Sequence, residues 1–145
     1  MKIFNKKARF EYTILESLEA GIMLNGAEVK GVKSGHADLN DSFAKIQNGE
    51  LFLKNLFIPP YQPAADKEYD PRRDRKLLVH HEQIQQLASK LTKGGMALIA
   101  VSMYTVHNYI KVELALAQSK KKYDHRRAIK EKDEKRKLEQ DIKKY

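Results

Sequence analysis

The sequence predicts a mainly β protein with short helices: an OB-type, partly closed antiparallel β-barrel, followed by a basic C-terminal tail that is disordered or helical on binding. Three observations carry this. Asn48-Gly49 separates two strand-like segments, and a two-residue hairpin turn needs positive φ at both positions. Met96–Tyr104 and Tyr109–Ala117 are two more strand-like runs joined by a short turn. Residues 118–145 hold 12 Lys/Arg against 6 Asp/Glu, so they carry +6 of the net +9. Their apolar residues form no continuous helical stripe to dock against a core.

The elements follow in order. Met1–Arg9 is a short basic lead. Phe10–Leu18 is rich in aromatic and β-branched residues and reads as a strand, with one of Phe10 and Tyr12 in the core. Glu19–Leu24 is either its end or a helical turn. Gly26–Ser34 is a short helix, with Gly35 placed to cap it. Asp41–Gln47 and Glu50–Asn55 are the arms of the Asn-Gly hairpin. Pro59-Pro60 ends that unit, and Tyr61–Arg75 is a long polar loop closing on the basic cluster Arg72, Arg73, Arg75 and Lys76. Leu77–Val79 is a short strand. His81–Leu91 places Ile84, Leu87, Ala88 and Leu91 on one helical face, and Gly94-Gly95 ends it. Met96–Tyr104 is a buried strand, Thr105–Asn108 a turn, and Tyr109–Ala117 a half-exposed partner. The body is residues 1–117 and the tail 118–145, with five or six strands and two or three helices in the body.

The tail is free of Gly and Pro and rich in helix formers. Glu131 with Lys135, Asp133 with Lys137 and Glu139 with Lys143 are opposite charges four apart, each pair contributing only ~0.2–0.5 kcal/mol. Such a segment is marginal alone and takes shape against a polyanion. A solvated extension without a partner fits the tail equally well.

Composition narrows the chemistry. There is no cysteine, hence no disulfide, thiolate metal site or thiol nucleophile. No apolar run approaches the ~20 residues of a membrane span, and no export signal is visible, which favours the cytoplasm. The five histidines show no zinc spacing, and no Walker-type phosphate loop is present. No catalytic residue, metal or cofactor is expected. Basic residues interleaved with aromatics remain: Phe10, Tyr12, Tyr61, Tyr69 and Tyr123 suit stacking on unpaired bases, while Lys and Arg hold phosphates. A ribosome-resident structural protein, a general single-stranded RNA binder and a small hydrolase using paired carboxylates are the rival classes.

A series of collinear short motifs is more specific than any one of them. Asn5-Lys6-Lys7-Ala8, Glu11-Tyr12, Glu19-Ala20-Gly21-Ile22, Leu24, Gly26, Glu28-Val29-Lys30, Gly35, Ala37 and Asp41-Ser42-Phe43 occur in order. Asp70-Pro71, Arg73, Arg75-Lys76-Leu77-Leu78, Tyr123-Asp124, Arg126 and Ile129-Lys130-Glu131 follow. Over the body and the first half of the tail, the chain resembles the bacterial SsrA-binding protein (small protein B, SmpB) family.

The resemblance implies an OB-type barrel that binds the tRNA-like domain of transfer-messenger RNA (tmRNA, SsrA RNA). It implies delivery of that RNA to ribosomes stalled without a stop codon, in trans-translation, with no covalent chemistry by the protein. The implied partners are the RNA, the small-subunit decoding centre and empty mRNA channel, and elongation factor Tu through the charged RNA. A cytoplasmic monomer with no membrane attachment is expected. The implied body surface is Asn5, Lys7, Tyr12, Glu19, Lys30, Lys33, Arg73, Arg75, Lys76, Leu78 and His80. The implied tail contacts are Lys120, Lys121, Lys122, Tyr123, Asp124, His125, Arg126, Ile129 and Lys130, with Tyr123 stacking on a decoding nucleotide. His125 stands where the family has lysine, Ser119 where it often has glycine, Glu134 where many tails have an aromatic, and His80 where asparagine is frequent.

Overall fold

The computed structural model describes residues 2–61 and 67–120. The strands are β1 (Lys2–Phe4), β2 (Tyr12–Ile22), β3 (Phe43–Gln47), β4 (Glu50–Lys54), β5 (Arg75–Leu78), β6 (Met96–Val106) and β7 (Tyr109–Ser119). They form one sheet in the order β1-β6-β3-β4-β5-β2-β7, and a further β6–β7 pairing closes it into a ring with β1 on its outer edge. All pairings are antiparallel. The ring is unevenly sealed: β7 pairs with β6 and β2 along most of its length, whereas β3–β6 and β2–β5 share two residue pairs each. Three short helices complete the partly closed barrel: α1 (Ala8–Glu11), α2 (Gly26–Lys33) and α3 (His81–Leu91).

Both hairpin turns use residues that tolerate positive φ. Asn48 and Gly49 sit at 53° and 76°, and His107 and Asn108 at 48° and 68°. The second turn is thus two residues long, and β6 and β7 extend beyond the expected limits on either side of it. Helix α2 starts with a reciprocal cap, in which Asn25 Oδ1 accepts from the Glu28 N–H and Glu28 Oε1 from the Asn25 N–H.

The barrel interior is filled from every strand. Ala20, Leu51, Leu53, Leu77, Leu98, Met103, Val112 and Leu114 are all buried there, with Val32 of α2 and Leu87 of α3. A smaller cluster lies outside the barrel wall, where Ala8 of α1 packs with Ile99, Val101, Ala115 and Ala117. Two bulges make this two-sided arrangement possible. The register shifts between Ala100 and Ser102 in β6, and between Ile14 and Glu16 in β2. An extra residue reverses which side chains face out. Below the β6 bulge the outer residues are apolar and covered by α1; above it they are Ser102 and Tyr104.

The N-terminal segment departs from expectation. Lys2–Phe4 is a strand on β6, and Ala8–Glu11 is one helical turn, so the strand expected from Phe10 begins at Tyr12 and runs to Ile22. Phe10 is 83% exposed on that turn, while Tyr12 is half-buried against the outer cluster. Asn5 causes the turn: its Oδ1 accepts from the Ala8 N–H at 3.2 Å, starting the helix before any strand can continue.

Candidate nucleic-acid interface

Glu19, Lys76, Leu78 and His80 line one open cleft of about 630 Å³. Its walls come from the weak β2–β5 seam and the start of α3. Strand parity puts them there. In β5, Arg75 and Leu77 point inward and are buried, so Lys76 and Leu78 point outward, Leu78 being 51% exposed. In β2, Ala20 is buried, so Glu19 and Gly21 face out. Gly21 opposes Leu78, and a Cβ at Gly21 would stand 3.2 Å from that of Leu78. The missing side chain lets the leucine lie across the seam.

The cleft also contains Lys111, which sequence reasoning did not single out. Lys111 pairs with Gly21 on one side and Tyr104 on the other. Its signal was available: in Tyr109–Ala117, alternation that buries Ile110 and Val112 turns Lys111 outward.

The charges in this cleft have modest partners. Lys76 Nζ lies 3.2 Å from Glu50, both half-exposed, and such a surface pair contributes little and exchanges readily. The Tyr104 hydroxyl donates to Glu19 Oε2 at 2.5 Å. Partial burial and the acceptor carboxylate push the Tyr104 phenol up to about 12, so it remains a donor at physiological pH and orients Glu19. Glu19 is itself exposed where it lines the cleft. His80 is exposed at the α3 N-terminus, its N–H donating to Gln83 Oε1 at 3.0 Å.

A second cleft of about 500 Å³ brings together Asn5, Lys7 and Tyr12. Asn5 is 6% exposed and fully engaged: Nδ2 donates to the Leu39 and Ala100 carbonyls at 3.1 and 2.8 Å. The expectation that it reads RNA directly is therefore corrected; it ties β6, α1 and the 38–42 loop together. Lys7 is exposed, 3.4 Å from Asp41.

Arg75 requires the same correction. It is wholly buried, as is Glu28. Arg75 Nε donates to Glu28 Oε2 at 2.7 Å, one amino group to the Leu56 carbonyl at 2.5 Å, and the other to the Pro71 carbonyl at 3.1 Å and the Tyr69 hydroxyl at 2.8 Å. No donor remains for a phosphate. Tyr69, a stacking candidate, is likewise drawn inward by its hydroxyl, which also lies 2.9 Å from the Ile58 carbonyl. Burial alone would raise the Glu28 carboxyl, but hydrogen bonds from Arg73, the Asn25 backbone and Arg75 outweigh it and hold the group below the ordinary carboxylate value. Arg73 completes the Glu28 pair and is partly exposed, leaving one edge open. Lys30 and Lys33 are exposed on α2, with Lys30 Nζ 5.5 Å from the Tyr61 ring centroid.

Of the expected tail 118–145, Gln118 and Ser119 belong to the end of β7, and of the expected tail contacts Lys120 alone is described; its Nζ donates to the Arg9 carbonyl at 2.9 Å. Lys121, Lys122, Tyr123, Asp124, His125, Arg126, Ile129 and Lys130 lie outside the described residues.

Fold and surface together define a small basic antiparallel barrel with open, charge-lined clefts and a separate internal ion-pair network. A family model described as SmpB protein matches residues 2–144. The chain is 49% identical over 135 residues to an SsrA-binding protein of Syntrophobacter fumaroxidans, covering 93% of this chain and 84% of that one. It is 47% identical over 134 residues to an SsrA-binding protein of Mycolicibacterium paratuberculosis, covering 92% and 79%. A solved structure described as "tmRNA-SmpB: a journey to the center of the bacterial ribosome" superimposes with a TM-score of 0.71 at 43% identity, covering 84% of this chain and 86% of that one. The chain belongs to the SmpB protein family.

Proposed function

We propose that the protein is a non-enzymatic RNA-binding adaptor of trans-translation. It binds the tRNA-like part of tmRNA through its barrel and accompanies that RNA, with elongation factor Tu, to stalled ribosomes. The cleft holding Glu19, Lys76, Leu78, His80 and Lys111 carries this reading, because its composition suits folded RNA. Lys76 and Lys111 supply phosphate contacts, Glu19 accepts from a base amino or ribose hydroxyl, and Leu78 offers an apolar surface to a ribose or base face. Lys30, Lys33 and Arg73 form a neighbouring cationic border on α2 and the loop before β5. The segment that follows β7, from Lys120 on, enters the decoding centre and the vacant mRNA channel, Gln118 and Ser119 of the expected tail being paired into the barrel. Among the described residues no helix is long and apolar enough to cross a membrane.

The test separates body from tail. A chain ending at Ser119 should bind tmRNA with affinity close to that of the full chain, while tagging of peptides on stalled ribosomes stops. Loss of RNA binding in that truncation would overturn the two-part assignment. Binding should also weaken with salt by ~0.7–0.9 decades per decade for each phosphate neutralised.

A further inference from the structure

We propose that Phe4, with Lys2 and Tyr104, is an additional subsite that stacks an unpaired base of the RNA held at the Glu19 cleft. The proposal rests on the RNA-binding reading above and extends the contact surface to the opposite edge of the sheet.

Strand register carries the argument. Lys2 pairs with Tyr104, Tyr104 with Lys111, Lys111 with Gly21, and Gly21 with Leu78. These residues form one uninterrupted row across the outer face of β1, β6, β7, β2 and β5. The adjacent row runs from Phe4 to Ser102, Glu113 and Glu19. Neighbouring strands lie about 4.8 Å apart, so Phe4 stands about 14 Å from Glu19 on the same surface. Two or three nucleotides of single-stranded RNA span that distance.

Single exposed apolar side chains are ordinary on protein surfaces. Phe4 differs in its surroundings. It is 52% exposed on a three-residue strand at the outer edge of the sheet. Lys2 Nζ stands 5.0 Å from its ring centroid and 5.7 Å from that of Tyr104, placing one cation beside two rings. Tyr104 is bound in turn to Glu19. An aromatic face with an adjacent ammonium is the arrangement that takes a base and its phosphate. The β6 bulge creates it: without the extra residue near Ala100, Tyr104 would face the barrel interior. Charge complementarity selects a nucleotide as occupant over a second copy of this basic chain.

The experiment uses the full chain and a transcript of the tRNA-like domain of tmRNA. Phe4→Leu keeps an apolar strand residue but removes the ring face. Its affinity should fall about 5- to 100-fold at constant salt slope, since one base–aromatic stack is lost. Lys2→Ala should weaken binding and reduce the salt slope by ~0.7–0.9. Phe4→Tyr should retain the parent affinity, and hydroxyl-radical footprinting should show a protected nucleotide exposed again only in Phe4→Leu. Unchanged affinity in Phe4→Leu, with Glu19→Ala still weakening binding, would overturn the subsite and leave the cleft assignment standing. Absence of RNA binding by the parent chain would instead overturn the function. A Phe4→Leu effect on sedimentation or melting in place of affinity would make Phe4 a self-association or folding residue and refute the proposal.

Discussion

Replacing Arg75 with alanine should cripple the fold, leaving no RNA contact to lose. Both members of the Arg75–Glu28 pair are excluded from solvent, and the guanidinium also satisfies the Leu56 and Pro71 carbonyls. Removing one partner of a buried pair costs about 3–5 kcal/mol, because the other charge stays behind uncompensated. Arg73 remains beside Glu28, which puts the expected loss near the lower end, about 3 kcal/mol. Against a domain stability of about 5–15 kcal/mol, this is a fifth to more than half. For a barrel of this size it lowers the melting temperature by roughly 10–15 °C. Thermal unfolding followed by circular dichroism measures it, with RNA affinity taken at a temperature where the variant is still folded. Lys76→Ala is the matched control: the neighbouring residue points outward, so it should melt with the parent and bind RNA more weakly. If Arg75→Ala melts with the parent but loses RNA affinity, the assignment of Arg75 as an internal strut is wrong.

Glu28→Gln should destabilise the protein at neutral pH and flatten its acid limb. The folded Glu28 carboxyl lies below its ordinary value of 4.5, so its stabilisation is present above that value and disappears as pH falls through the folded one; an unchanged acid profile in urea titrations would contradict this. Glu19→Lys should weaken tmRNA binding although it adds positive charge, because the carboxylate acts as an acceptor; tighter binding in a filter assay would show that it only faces solvent. Asn5→Leu takes away the side-chain donor to the Ala100 carbonyl and the acceptor of the Ala8 N–H, while the Leu39 carbonyl keeps the Ser42 N–H and hydroxyl; the loss costs about 1–3 kcal/mol and shows as a lower denaturation midpoint.

Much of the fold could be read from local chemistry. The Asn48-Gly49 turn, α2 with Gly35 beyond it, and α3 from His81 to Leu91 each depend on residues adjacent in sequence, and they stand where expected. What escaped depends on distant partners. Lys2–Phe4 is too short to announce a strand and exists because β6 offers it an edge. The helical turn at Ala8–Glu11 follows from an asparagine held by carbonyls far along the chain. The bulges in β2 and β6 reverse parity without any glycine to mark them. For the candidate site, residue types were legible but direction was not: Asn5, Arg75 and Tyr69 have the polarity of contact residues and serve inside. Lys111 was overlooked because one lysine in an alternating strand carries no distinctive motif.

These corrections change how the family motifs are to be interpreted. Within Arg75-Lys76-Leu77-Leu78, strand alternation assigns opposite tasks to neighbours: Arg75 and Leu77 hold the barrel, while Lys76 and Leu78 are presented to the cleft. Glu28 and Lys30 divide labour in the same way on α2, the first locked by two guanidinium groups and the second exposed. The two tasks are coupled. The Arg75 guanidinium joins the end of the 67–75 loop to α2 and to the Leu56 carbonyl, and so fixes where β5 begins. A shift of one residue in that start would turn Lys76 inward and Arg75 out, burying an ammonium without a partner and losing the cleft wall together. The buried ion pair therefore sets the register on which the exposed contacts depend, and substitutions at either set weaken RNA binding for different reasons. Melting temperature separates them, since only substitutions of the buried set lower it.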